Sequence, residues 1–183
     1  LDGAGNLVTT ATTSITLTIG TNPGGGALGG TTTQIASGGS AAFPGLSINR
    51  TGTGYTLLAN GGALTQATST AFDITPGAAA ALAFTVEPST VVAGEAIAPA
   101  VQVEVRDALG NRVTGSTASI AMAIGTNPGS STLSGTTAVN AVAGVATFGN
   151  LSLNRSGVGY TLSATSTGVS AATSAAFTVN PGA

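Results

Sequence analysis

Asp2 to Ala78 lies over Asp107 to Ala183 at a constant offset of 105 residues, without a gap, and about half of the paired positions are identical. A gapless repeat of this length is a tandem duplication, so the chain folds as copies of one unit and any site it carries is expected in both copies. The identities cluster. Ile19–Gly24 (IGTNPG) recurs as Ile124–Gly129, and Asn49, Arg50, Gly54, Tyr55, Thr56 and Leu57 recur as Asn154, Arg155, Gly159, Tyr160, Thr161 and Leu162. Residues 79–106 have no counterpart ahead of Leu1 in this sequence. The repeat therefore predicts one unit, residues 1–78, lacking its opening strands, followed by a complete unit, residues 79–183, with the N-terminus read as internal to a longer chain.

Within the complete unit the apolar residues alternate with polar ones, the period of half-buried strands. Leu82, Phe84 and Val86 alternate up to Pro88; Val101, Val103 and Val105 alternate with Gln102, Glu104 and Arg106; Ile120, Met122 and Ile124 follow. Further strands are predicted around Thr136–Val142, Val145–Leu153, Tyr160–Thr165 and Ala175–Val179, making seven or eight in all. No segment keeps helical periodicity beyond two turns, and the Ala78–Ala81 run is read as a short linker. This pattern of short strands separated by turn residues predicts an all-β fold of tandem antiparallel β-sandwiches.

Composition removes much chemistry. The chain has no His, Cys or Trp, and its four basic residues are Arg50, Arg106, Arg112 and Arg155. Nucleophile pairs built on His, thiolate or imidazole metal sites, disulfides and Lys-based covalent chemistry are thus excluded. Four arginines make no basic footprint for a phosphate backbone, so nucleic acid is not an expected partner. The six acids do not recur as a pair in both copies, which argues against a two-carboxylate hydrolase. The expectation is a non-enzymatic protein without cofactor or resident metal. No run of 18 apolar residues is present, so no membrane span is expected in this segment. Charged residues make up only 5%, against about 25% in an ordinary soluble domain, and solubility falls to Thr, Ser, Asn and Gly. Such a surface suits a location outside the cytoplasm.

The phrase Val101–Val113 (VQVEVRDALGNRV), the Gly-rich corner before Tyr160 and the closing Phe177-Thr178-Val179 resemble the bacterial immunoglobulin-like repeats of invasin- and intimin-type adhesins and of large tandem-domain surface proteins. The resemblance covers the whole chain, twice over. It implies tandem immunoglobulin-like sandwiches acting as an extracellular, cell-surface stalk, spacer or filament material, with neighbouring repeats as partners. It carries over no binding site. The near absence of charge, and Ala121 and Ala123 in the strand after the turn phrase, depart from many relatives.

Few residues remain as site candidates. Tyr55 and Tyr160 hold equivalent places after Gly-x-Gly, and they are read as structural corners whose hydroxyls bond upstream backbone, in preference to sugar-stacking platforms. Asp2, Asn6, Asp107 and Asn111 are read as turn formers in Asp-x-x-Gly-Asn. The Arg50/Asn49 and Arg155/Asn154 pairs could grip an anion, but a loop Arg more often bonds local carbonyls. A calcium site at a domain junction, near Asp73 and Glu87, would not repeat, because Asp73 aligns with Thr178. Asn49, Asn150 and Asn154 open weak glycosylation sequons, and the Thr-rich phrases lose their rows at Ala121 and Ala123. The open sheet edge of the first unit is expected to accept a strand from another molecule. An adhesive module for glycan or a surface protein is the alternative to the structural reading.

Overall fold

The computed structural model describes residues 1–182. All of its regular elements are strands, and the chain divides into two compact units, Leu1–Thr75 and Pro76–Ala183. Among the described residues no helix is long and apolar enough to cross a membrane.

The first unit runs β1 (Ser14–Ile19), β2 (Leu28–Gly29), β3 (Thr33–Ile35), β4 (Ser47–Ile48), β5 (Gly52–Tyr55), β6 (Leu57–Asn60), β7 (Ala67–Thr68) and β8 (Phe72–Ile74). They form a four-stranded sheet in the order β3-β1-β6-β7 and two-stranded pairs β2-β4 and β5-β8. The second unit opens with β9 (Ala79–Val86), β10 (Val91–Val92) and β11 (Val101–Asp107). It continues with β12 (Ser119–Ile124), β13 (Leu133–Ser134), β14 (Ala138–Asn140), β15 (Val145–Phe148), β16 (Ser152–Leu153), β17 (Gly157–Tyr160), β18 (Leu162–Thr165), β19 (Ala172–Thr173) and β20 (Phe177–Asn180). Its sheets are β15-β11-β9, β14-β12-β18-β19, β10-β20-β17 and the pair β13-β16. Several sheets around one core are consistent with a β-sandwich.

β11 shows why the sequence folds this way. Its alternation buries Val101, Val103, Val105 and Asp107 and turns Gln102, Glu104 and Arg106 outward. The inward valines join Leu82 of β9, Ile120 and Met122 of β12, Phe148 of β15, Leu162 of β18 and Val179 of β20 in a single hydrophobic cluster. On the outer face Glu104 meets Arg106 at 3.1 Å and Arg112 at 4.0 Å.

Three expectations are corrected. Ala79–Ala81 is the start of β9 and not a linker, since Ala79 and Ala81 pair with Asp107 and Arg106 of β11; a partnered strand overrides the poor β-propensity of Ala. The second unit has twelve strands among the described residues, and not seven or eight, because runs such as Val145–Leu153 change sheets part-way and the two-residue strands β10, β13 and β19 lie outside the expected runs. β17 pairs with β20 and β18 with β12, and the break falls at Thr161, whose backbone bonds Thr126 and Gly125 instead. Finally, the pairing is not wholly antiparallel. β10 runs parallel to β20, Val91 opposite Val179, because the chain leaves the β11 sheet after β9 and meets β20 travelling in the same direction.

The eight strands of the first unit recur as β12–β14 and β16–β20, starting 105 residues later. β15 has no strand counterpart at residues 40–43. Its partner in the second unit is β11, and a counterpart of β11 is not part of this sequence for the first unit. Without those strands the first unit buries only Ala36 and Tyr55 among its hydrophobic residues, against seventeen in the second.

Candidate functional site

The recurring residues gather at two places in each unit, a tyrosine corner and an aspartate turn. At the corner, β17 and β20 are bulged between Val158 and Tyr160, with Gly159 at φ +90°, a conformation open to Gly and strained for other residues. The bulge turns Tyr160 inward, where its ring has no exposed surface and lies 6.0 Å from that of Phe177. Its hydroxyl donates to the Arg155 carbonyl at 2.9 Å. A Cβ on Gly157 would come within 3.0 Å of the ring, and one on Gly129 would overlap the Tyr160 hydroxyl and the Ser156 carbonyl. The Gly-x-Gly phrase and the Gly of Asn-Pro-Gly are thus two sides of one tyrosine pocket.

The first unit repeats this arrangement. Tyr55 is fully buried, donates to the Arg50 carbonyl at 3.0 Å, lies 6.2 Å from Phe72 and sits beside Gly24 and Gly52. Arg50 and Arg155 therefore contribute main-chain carbonyls to the corner. Nothing in the structure explains why the guanidinium itself recurs.

Asparagine carboxamides tie the neighbouring loops, a role the sequence reading missed. Asn127 accepts from the Ser131 amide at 2.7 Å and donates to its carbonyl at 2.9 Å; Asn22 makes the same pair of bonds to Gly26. Asn154 accepts from the Thr132 amide, and Asn49 from Ala27. Asn150 accepts from the Thr136 amide at 2.8 Å. The three sequon asparagines thus all hold loops in place. Only their recurrence at offset 105, for Asn22/Asn127 and Asn49/Asn154, could have flagged the role.

At the turn, Asp107 Oδ1 accepts from the amides of Leu109 and Asn111 at 2.9 and 2.8 Å. Its Oδ2 accepts from the Gly77 amide at 2.9 Å and the Asn111 side chain at 3.0 Å. Asp2 accepts likewise from Ala4 and Asn6, with Gly5 and Gly110 at φ +85° and +81°. The two turns differ in burial. Asp107, next in the alternation after Val105, is only 5% exposed, whereas Asp2 lies at the surface.

Burial alone would raise the Asp107 carboxyl. The donors from Gly77, Asn111 and Leu109 outweigh it and hold the group at about 2, below the ordinary 3.8. Asp2 is lowered as well, chiefly by the Asn6 amide. A carboxylate whose folded pKa is depressed stabilises the fold above its unfolded pKa and loses that contribution as pH falls through the folded value. Denaturant midpoints of the second unit should therefore drop as pH falls from about 4 to about 2. Asp107→Asn should be less stable at neutral pH and lose that part of the acid dependence. Parallel pH profiles for wild type and Asp107→Asn across this window would sink the assignment.

Two of the remaining acids each cap a single amide. Asp73 accepts from the Gly54 amide and Glu87 from the Ala175 amide, each at 2.9 Å. No group of three or more acidic side chains converges in metal-binding fashion among the described residues.

No protein-family model matches the chain, and no curated protein matches it. Among solved structures, a β-glycosidase from Bacteroides vulgatus is similar over 92% of this chain and 21% of its own, at 14% identity and a TM-score of 0.47. A β-glucuronidase from glycoside hydrolase family 2 matches over 93% and 18%, at 18% identity and 0.46. A glycosyl hydrolase family 2 member from Bacteroides cellulosilyticus matches over 94% and 22%, at 14% identity and 0.46. The chain spans about a fifth of the length of these structures.

Proposed function

We propose that the chain is a non-catalytic structural segment of an extracellular bacterial surface protein, in which tandem immunoglobulin-like sandwiches serve as stalk, spacer or filament material. One observation carries the reading. The polar side chains that recur in both units and shape the corner and the turn are spent on internal hydrogen bonds: the tyrosine hydroxyls on Arg50 and Arg155, Asn22 and Asn127 on their loops, Asp2 and Asp107 on their turns. A repeated ligand site would instead point repeated polar groups outward. The resemblance of the turn phrase and the Gly-rich corner to bacterial immunoglobulin-like repeats supports the same reading, and the sparse charge supports a place outside the cytoplasm.

The mechanism is geometric. Each repeat adds a domain held by its own core, and a run of them carries the protein's ends apart. To test this, one to four copies of residues 76–183 are placed between a cell-surface anchor and a terminal epitope, and the height of the epitope above the membrane is measured. Height should rise in equal steps with copy number. A height that fails to grow would overturn the spacer reading, and saturable, sugar-specific binding of the purified chain on a glycan array would replace it with a binding module.

A further inference from the structure

The first unit carries an apolar groove of about 170 Å³ lined by Leu28, Leu46, Ile48, Leu57, Phe72 and Ile74, with Ser47 at its side. Its counterparts in the second unit include Leu151, Leu153, Leu162, Phe177 and Val179, each at most 5% exposed. The segment that covers them there can be followed bond by bond. Val91 and Val92 pair in parallel with Val179 and Asn180. The amides of Ala93, Gly94 and Ile97 donate to the carbonyls of Asn180, Leu153 and Leu151 at 2.8, 2.7 and 2.8 Å, and Ile97 itself is buried. β11 then pairs Val101–Glu104 with Phe148–Val145. Subtracting 105 places Thr75, Ile48 and Leu46 where those carbonyls stand, and Ser40–Phe43 opposite the β11 position.

We infer that the groove of the first unit is the seat of an opening segment of this same repeat design, an extended chain of the kind formed by residues 79–107. Such a segment runs parallel to β8 through its Val91 and Val92 positions, drops its Ile97 position over Leu46 and Leu57, and pairs its Val101 and Val103 positions with Phe43 and Ala41. The main chain supplies affinity and the alternating apolar side chains supply register, as in β-strand addition. The inference rests on the residue-by-residue equivalence of the two units and does not need the spacer reading.

The test titrates a synthetic peptide of residues 79–107 into the 183-residue chain and follows binding calorimetrically and by amide hydrogen exchange. One peptide per chain should bind saturably and slow exchange at residues 40–48 and 72–75, leaving residues 145–153 unchanged. A peptide carrying Val91→Asp and Ile97→Asp should not bind, which checks the register without altering the receptor. Absence of binding would overturn the inference, as would equal binding of the doubly substituted peptide or protection confined to the second unit. So would a chain that dimerises alone with residues 40–48 already protected, since the occupant would then be a second folded copy.

Discussion

A fragment of residues 76–183 is expected to unfold in one cooperative transition, and a fragment of residues 1–75 is expected to show none. The second unit closes its core with β9–β11; the first has no such strands in this sequence. Ile15, Leu17, Phe43, Leu46, Ile48, Leu57, Phe72 and Ile74 are all only partly buried, whereas their counterparts all belong to the second unit's core. Full burial of a large apolar side chain contributes ~1.5–3 kcal/mol. Up to a third of that, forgone at each of these positions, is on the order of 5 kcal/mol, a large part of the ~5–15 kcal/mol margin of a small domain. The measurement is direct because Tyr55 and Tyr160 are the only tyrosines and each fragment holds one. Urea titrations followed by tyrosine fluorescence and circular dichroism should give a sigmoid for residues 76–183 and a shallow slope for residues 1–75. A sharp, coincident transition in the shorter fragment would show that the groove does not limit its stability.

The second large effect is expected at Tyr160. Replacement by Ala removes a ring that is wholly buried between Phe177 and the two glycine-bearing loops, and should cost about 3–5 kcal/mol in the second unit, as large-to-small core changes do. Replacement by Phe keeps the ring and removes only the hydroxyl. The Arg155 carbonyl then loses its donor at the corner, for a cost of about 1–3 kcal/mol. A ring with no exposed surface offers no face for stacking on a sugar, so neither variant should alter binding to a glycan array except through unfolding. Chemical denaturation of residues 76–183 decides the matter: an unchanged midpoint for Tyr160→Phe would mean that the hydroxyl bond contributes nothing.

The turn and the core illustrate how local pattern and tertiary position divide the work. In β11 the period-2 alternation of Val101, Val103 and Val105 was readable directly, and it extends one step further to Asp107. Reading the aspartate only as a turn former overlooked that the same alternation buries it. Burial works against its lowered pKa, and the donors that overcome it include the Gly77 amide, which reaches the carboxylate from thirty residues away in sequence. Asp2, with the same local phrase and the same Ala4 and Asn6 amides, stays at the surface. Local hydrogen bonding is encoded in five residues; burial is not.

By itself the sequence determined the recurrence at offset 105, the all-β character, the lack of His, Cys and Lys chemistry, and the residues on which both units turn. These follow from composition, period and recurrence, which are properties of short windows or of the chain compared with itself. The tertiary structure decided which runs split between sheets, that Ala79–Ala81 is strand, that β10 joins β20 in parallel, and that equivalent apolar and turn positions are buried in the second unit and more open in the first. Those outcomes depend on the strand that lies alongside. A residue's burial and pairing are set by a partner that its own neighbourhood does not specify, and the first unit, which has no β9–β11 of its own in this sequence, shows the equivalent residues left partly exposed around an open groove.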